Sequence, residues 1–299
     1  MNKVLRRLST EWPLHVMLIP PIIMVGIFSY IPLYGLVIAF QKYNVALGFQ
    51  SPFIGMQNFE RLFNQPNFGQ LIFNTVFIAI MKIVAGIAVP VTFSLLLNEI
   101  VKSSTKRIFQ TIIYIPNFLS WIIMAGIFMD ILSANGIINS LIMMMGGSPI
   151  NFLGDPVIFP YTIVVTDIWK TFGFGTVIYL ATLTSIDPGL YEAAVVDGAK
   201  RWKQTIYITL PMMAPIITLM SILSLGNILN AGFDQIFNMY SPIVYGTADI
   251  IDTYVYRLGI EKAQYSMATA VGMFKSVVSC VLISTSYVLA DKVAGYRVF

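Results

Sequence analysis

Four ionisable side chains, Lys82, Asp167, Lys170 and Lys275, stand in stretches that are otherwise almost wholly apolar. A charge near the centre of a bilayer costs about 2.5–3.5 kcal/mol on insertion scales, so each needs a partner, a wet cavity or a function. Asp167 and Lys170 are three residues apart, a spacing that lets them pair on one helix face, so structural and ligand-binding roles both stand open. Lys82 and Lys275 either face water inside the protein or snorkel towards an interface. Uncharged groups offer a second chemistry, that of polyhydroxylated ligands, whose hydroxyls are held by amides and carboxylates and whose rings lie on aromatic faces. Asn117 and Trp121 share a face of one expected helix, Asn227 and Asn230 lie near the end of another, and Phe233 and Asp234 follow. The plainer reading of each is helix-to-helix hydrogen bonding.

Other chemistries are poorly supplied. One histidine, His15, and one cysteine, Cys280, give neither a metal cluster nor an intrachain disulfide. No G-x-x-x-x-G-K-[ST] string is present to cradle a nucleotide's phosphates, so any use of ATP belongs to another chain. Asp249 and Asp252 are an isolated carboxylate pair, too little for a membrane enzyme acting on lipid-linked sugar. No nucleic-acid partner is expected, because the basic residues are scattered over several loops.

The most charged internal segment is "LYEAAVVDGAKRWKQTIYITLP", Leu190 to Pro211. Asp187-Pro188 before it supplies an N-cap and a proline at the first helical position, and Gly198 is placed to end the helix. Glu192, Ala193 and Ala194 then lie on a short helix whose small side chains let another surface approach the backbone. Lys200, Arg201 and Lys203 follow, and Leu210-Pro211 leads into the next apolar run. An ordinary surface helix and a docking knob for a partner are both compatible with this pattern.

The elements that must position these residues are membrane spans. With 57% hydrophobic and 11% charged side chains, 299 residues cannot be wrapped around one aqueous core. Crossing the hydrocarbon takes about 20 apolar residues in a helix, whose backbone bonds are satisfied internally. Six stretches qualify, at about 14–40, 71–97, 108–129, 157–183, 206–229 and 268–290, preceded by a polar N-terminal segment, 1–13. The nine-residue run "IINSLIMMM" within 131–154 is too short to span and reads as an interfacial or re-entrant helix. The first span is too long for a secretory signal's core and lacks a small-x-small cleavage site after it, so it is expected to be retained. Prolines 20, 21, 32, 90, 116 and 215 lie in or beside spans, where neighbouring helices and water satisfy the freed backbone groups. Lys3, Arg6, Arg7, Lys102, Lys106, Arg107, Lys200, Arg201, Lys203, Lys292 and Arg297 fall on one side, against Lys42, Arg61, Arg257 and Lys262 on the other. This places both termini and the loop 187–211 in the cytoplasm.

The loop also carries a resemblance. "EAAVVDGAKRWKQTIYITLP" resembles the EAA loop in the membrane subunits of binding-protein-dependent ATP-binding cassette (ABC) importers, with Glu192, Ala193, Ala194, Gly198, Leu210 and Pro211 at the family's positions. "IPLYGLVIAFQKYN" from Ile31, "FIGMQNFERLF" from Phe53 and "WKTFGFGTVIYLATLTSIDPGLYEAA" from Trp169 resemble maltose-type carbohydrate-uptake permeases. The stretch Gly232 to Ser276 is similar to the branch handling complex oligosaccharides and polysaccharide fragments. The large external domain of one maltose-type subunit has no counterpart, since the loop between the first two spans is only about thirty residues.

The resemblance implies an all-α integral membrane protein of the type I ABC importer permease fold, with six spans and a single permease domain, 14–299, in a bacterial cytoplasmic membrane. It implies a non-enzymatic subunit whose 187–211 helix couples to ATP-binding cassette ATPases that hold the ATP and magnesium. A second permease subunit, an extracytoplasmic solute-binding protein and an oligosaccharide substrate complete the expected partners. The rival reading from the residues alone is an ion-coupled secondary carrier with Asp167 moving a proton, although no second half of the kind such carriers repeat is visible.

Overall fold

A computed structural model of the chain describes residues 3–294, with side chains for 11–292. The side chains of Lys3, Arg6 and Arg7 and the whole of Arg297, which contribute to the charge asymmetry, lie outside the described residues. The fold is helical: α1 (Lys3–Val25), α2 (Gln57–Phe63), α3 (Phe68–Asn98), α4 (Ser103–Tyr114), α5 (Trp121–Leu132), α6 (Ile137–Met144), α7 (Phe159–Thr184), α8 (Pro188–Val196), α9 (Arg201–Gln204), α10 (Leu210–Leu225), α11 (Phe233–Met239), α12 (Tyr245–Ala248), α13 (Ile251–Tyr256) and α14 (Tyr265–Ala294). Tighter or wider turns extend some of them, carrying α1 on to Phe40. Only isolated bridges, Gln41 with Phe53 and Asn44 with Gly48, stand for β structure among the described residues. Among the described residues, six helical stretches are long and apolar enough to cross a membrane: Glu11–Phe40, Phe68–Asn98, Trp121–Met144, Phe159–Thr184, Arg201–Leu225 and Tyr265–Lys292.

The third differs from the expected 108–129. Pro116 lies in a tight turn, Ile115–Phe118, after which Leu119 and Ser120 are extended and Ser120 caps α5 by accepting from the Ile123 N–H. A proline removes a helical donor and crowds the preceding turn, so this apolar run is divided between α4 and α5. The long apolar stretch instead continues from α5 through a turn into α6, which holds the run expected to be interfacial.

The chain divides into two compact units. In the first, residues up to Gln65 with Val255–Phe274, a small core of Ala39, Phe59 and Ala270 forms. The Asn58 side chain donates to the carbonyls of Ala39 (2.7 Å) and Gln41 (3.1 Å), satisfying groups that the end of the first long helix leaves free.

The second unit, Pro66–Tyr254 with the residues from Lys275 onward, is organised around α3 and α7. Helix α3 buries Leu71, Asn74, Thr75, Ile78 and Ala79, then Pro90, Val91, Ser94 and Leu97; α7 buries Phe159, Ile163, Thr166, Lys170, Gly173, Thr176, Leu180 and Leu183. These are stripes at three- and four-residue spacing. Lipid tails are as apolar as these faces, so close packing and interhelical hydrogen bonds, rather than the hydrophobic effect, hold such helices together. Gly173 shows how close the approach is, since a Cβ there would overlap the Ile113 carbonyl of α4. One apolar cluster gathers Ile78, Met124, Phe128, Phe159, Ile163 and Ile236; another gathers Val91, Tyr179, Leu183 and Met213.

Candidate functional site

Between α3, α7 and the segment after α10 lies a polar cavity of about 300 Å³, lined by Lys82, Gly86, Asp167, Ser224, Asn227, Asn230 and apolar neighbours. The Lys82 ammonium donates to Asp167 Oδ1 (3.2 Å), the Ala231 carbonyl (2.8 Å) and Gln235 Oε1, so its three donors are all engaged. The side chains of Lys82 and Asp167 are only 10% and 21% exposed. Gln235, fully buried, donates in turn to the Ile163 carbonyl (2.7 Å) and Thr166 Oγ1 (2.8 Å), pinning the start of α11 to α7.

The pairing of Asp167 with Lys170 does not occur. Asp167 reaches across to Lys82, which would otherwise be a buried charge without a counter-ion, and the cross-helix pair removes that cost. Asp167 is thereby committed to an ion pair, which weighs against a proton-carrier role. Lys170 instead donates to the Asn117 carbonyl (3.1 Å) and lies over the Trp121 ring, 5.3 Å from its centroid. Lys275 turns inward too, donating to Asp252 Oδ1 (2.6 Å) and Asn230 Oδ1 (2.8 Å). Neither Lys82 nor Lys275 snorkels.

The polar and aromatic candidates separate into three groups. Asn227 and Asn230 line the cavity and are linked to each other at 3.4 Å. Asn117 and Trp121 do not share a helix face, because the break at 115–120 lies between α4 and α5, but Lys170 brings them to one point. Phe233 stacks on Phe237 (centroids 5.2 Å apart), and Asp234 is exposed in the first turn of α11, so neither lines the cavity. Gln235 is absent from the residues that the sequence singles out. What singles it out is burial, since Gln235, Ile236 and Met239 form the inward face of α11 and Asp234 lies outside.

The loop 187–211 is a separate construction. Asp187 caps α8, its carboxylate accepting from the Gly189 N–H at 2.9 Å, with Pro188 at the first helical position. At the far end the Ala199 N–H donates to Ala194 O (2.8 Å) and the Gly198 N–H to Val195 O (3.0 Å), the bonding of a Schellman turn. That turn requires a left-handed residue, and Gly198 has φ +74°. Glu192 and Ala193 are exposed and Ala194 half-buried, while Val195, Val196 (87% exposed) and Trp202 (74%) are left uncovered. The Tyr191 hydroxyl meets Thr209 Oγ1 at 2.9 Å, and Arg201 donates to Glu99 Oε2 at 2.6 Å. Leu210 and Pro211 open α10.

Comparison with known proteins bears on both regions. The family described as "binding-protein-dependent transport system inner membrane component" matches residues 82–294, from the cavity lysine through the loop to the last helix. Protein LplB of Bacillus subtilis is 42% identical over 284 residues, covering 94% of this chain and 89% of that protein. The polygalacturonan/rhamnogalacturonan transport system permease protein YteP of Bacillus subtilis is 39% identical over 97% of this chain and 91% of its own. Among solved structures, a chain of a bacterial ABC transporter involved in import of the acidic polysaccharide alginate superposes with a TM-score of 0.89 at 36% identity, covering 98% of this chain and 99% of that one.

Proposed function

Because this chain belongs to the binding-protein-dependent transport system inner membrane components, we propose that it is the permease subunit of an ATP-driven importer, forming part of the path for an oligosaccharide or polysaccharide fragment. The fold is that of type I ABC importer permeases, and the chain is an inner-membrane protein. The names of the relatives support the substrate class: one is a permease for polygalacturonan and rhamnogalacturonan, and the alginate transporter has also been crystallised with an alginate pentasaccharide-bound periplasmic protein.

The observation that carries the mechanism is the state of α8. It is capped at both ends by its own residues and presents Val195 and Val196 without cover, with Trp202 of α9 uncovered beyond it. Such a helix is stiff enough to transmit a push and apolar enough to seat in another protein's groove. In this reading Glu192, Ala193, Ala194 and Gly198 dock on a cytoplasmic ATPase, and Leu210 and Pro211 pass its movement into α10. ATP and magnesium sit on two such ATPases, so this chain is no enzyme. A second permease subunit, a different chain, closes the path, and an extracytoplasmic solute-binding protein delivers the sugar. Asn227 and Asn230, with the paired Lys82 and Asp167, give the path its polar wall.

The test is purification from the native membrane in mild detergent, with mass spectrometry of whatever is recovered in stoichiometric amount. An ATPase and a second permease are expected with the unaltered chain, and the ATPase is expected to be lost with Glu192→Lys or Gly198→Val. Recovery of the chain alone, under conditions that preserve other membrane complexes, would overturn the reading.

A further inference from the structure

The three lysines inside the spans of the second unit are not equivalent. Lys82 and Lys275 each hold a carboxylate, Asp167 and Asp252. Lys170, only 7% exposed, has no carboxylate partner among the described residues. Among the described residues its side-chain hydrogen bond goes to the Asn117 carbonyl at 3.1 Å, a neutral acceptor in place of a carboxylate. A buried cation so poorly compensated is costly. The carbonyl and the Trp121 face offset part of the cost.

The surroundings suit an anion. Lys170 points to the break between α4 and α5, where the twelve-residue helix α5 begins at Trp121. The first N–H groups of a helix lack intrahelical acceptors and carry partial positive charge. Ser120, at the cap, is exposed. An aromatic face, a buried ammonium and the positive end of a helix meet there, and they match one ligand: a sugar ring that bears a carboxylate.

We propose that Lys170 and Trp121, at the break between α4 and α5, form a subsite that reads the carboxylate of a uronate residue in the translocated oligosaccharide. The cavity lysine does not supply this, because Asp167 already neutralises it. The proposal rests on the permease reading above and narrows its substrate class to acidic oligosaccharides.

The experiment uses cells that carry the complete transporter and follows uptake of radiolabelled galacturonate and mannuronate oligomers beside neutral galactose and glucose oligomers of matched length. Deletion of the gene should abolish acidic uptake. Lys170→Gln should lower acidic uptake by about tenfold or more, the scale of one lost charge-assisted hydrogen bond, with neutral uptake held within about twofold and Lys170→Arg restoring the acidic rate. Immunoblots of the membrane check the amount of each variant, and Lys170→Met replaces the glutamine variant should that one not accumulate. Acidic uptake unchanged in the variant, an equal loss for acidic and neutral sugars, or a deletion that removes neutral uptake alone would each overturn the subsite while leaving the permease reading in place. A deletion that alters uptake of no oligosaccharide would overturn the permease reading itself.

Discussion

Around Lys82, the partners of one ammonium group come from residues 85, 149 and 153 positions further along the chain. Around Gly198, the bonds that shape α8 run from Asp187 to Gly189, from Ala199 to Ala194 and from Gly198 to Val195. The first region exists only when α3, α7 and the start of α11 have assembled. The second has its ends specified by about a dozen consecutive residues. The two also treat exposure differently: the cavity must hide charge from lipid, so its polar atoms are spent on one another, whereas α8 leaves Val195 and Val196 uncovered.

Substitutions that isolate a charge in the cavity should therefore have the largest effects on stability. Asp167→Leu leaves Lys82 buried without its counter-ion and should cost about 3–5 kcal/mol, read as a fall in thermal midpoint in detergent. Adding Lys82→Met in the same chain should recover most of that loss. An Asp167→Leu protein as stable as the unaltered one would mean that the pair contributes nothing.

Gln235→Leu comes next. It removes one acceptor from Lys82 and the amide donor that ties α11 to the Ile163 carbonyl and the Thr166 hydroxyl, for about 1–3 kcal/mol in the same assay.

Changes in the loop should separate uptake from stability. Gly198→Val places a β-branched residue at φ +74°, a strain of about 1–2 kcal/mol that stays within the last turn of α8. Amide exchange should rise at 194–200 and uptake should be lost, while the global thermal midpoint holds. A fall in midpoint matching that of Asp167→Leu would erase the distinction between the two regions. Smallest of all is Glu99→Ala. Both it and Arg201 are well exposed, so the change should cost less than about 1 kcal/mol and the remaining effect should vanish in high salt.

The same contrast explains which features are legible in the sequence. The ends of α8 are legible because caps act over two to five residues: Asp187-Pro188 and Gly198 say where the helix starts and stops. The long helices are legible because a bilayer demands a continuous apolar run, and α3 and α7 carry one with little interruption. The third span is not, since apolarity runs through Pro116 and Ser120 without showing that the backbone turns extended there. Spacing offers Asp167 the wrong partner, Lys170, for a related reason, because positions along one helix cannot weigh a competitor on another. Gln235, beside the more conspicuous Asp234, stands out only once the inward face of α11 is known.

Composition, the run lengths and the charge pattern of the loops decide that this chain is a helical membrane protein, because the bilayer's penalty for unsatisfied backbone and for charge acts on every residue in turn. The motif from Glu192 to Pro211 decides its family, because the cap residues of a short helix and the small side chains on it are neighbours in sequence. Only the tertiary structure decides which buried charges neutralise each other and which one, Lys170, is left over. Coulomb energy in a medium of low dielectric depends on the distance between groups, and residues 82, 167, 170, 252 and 275 acquire their distances only when the helices pack.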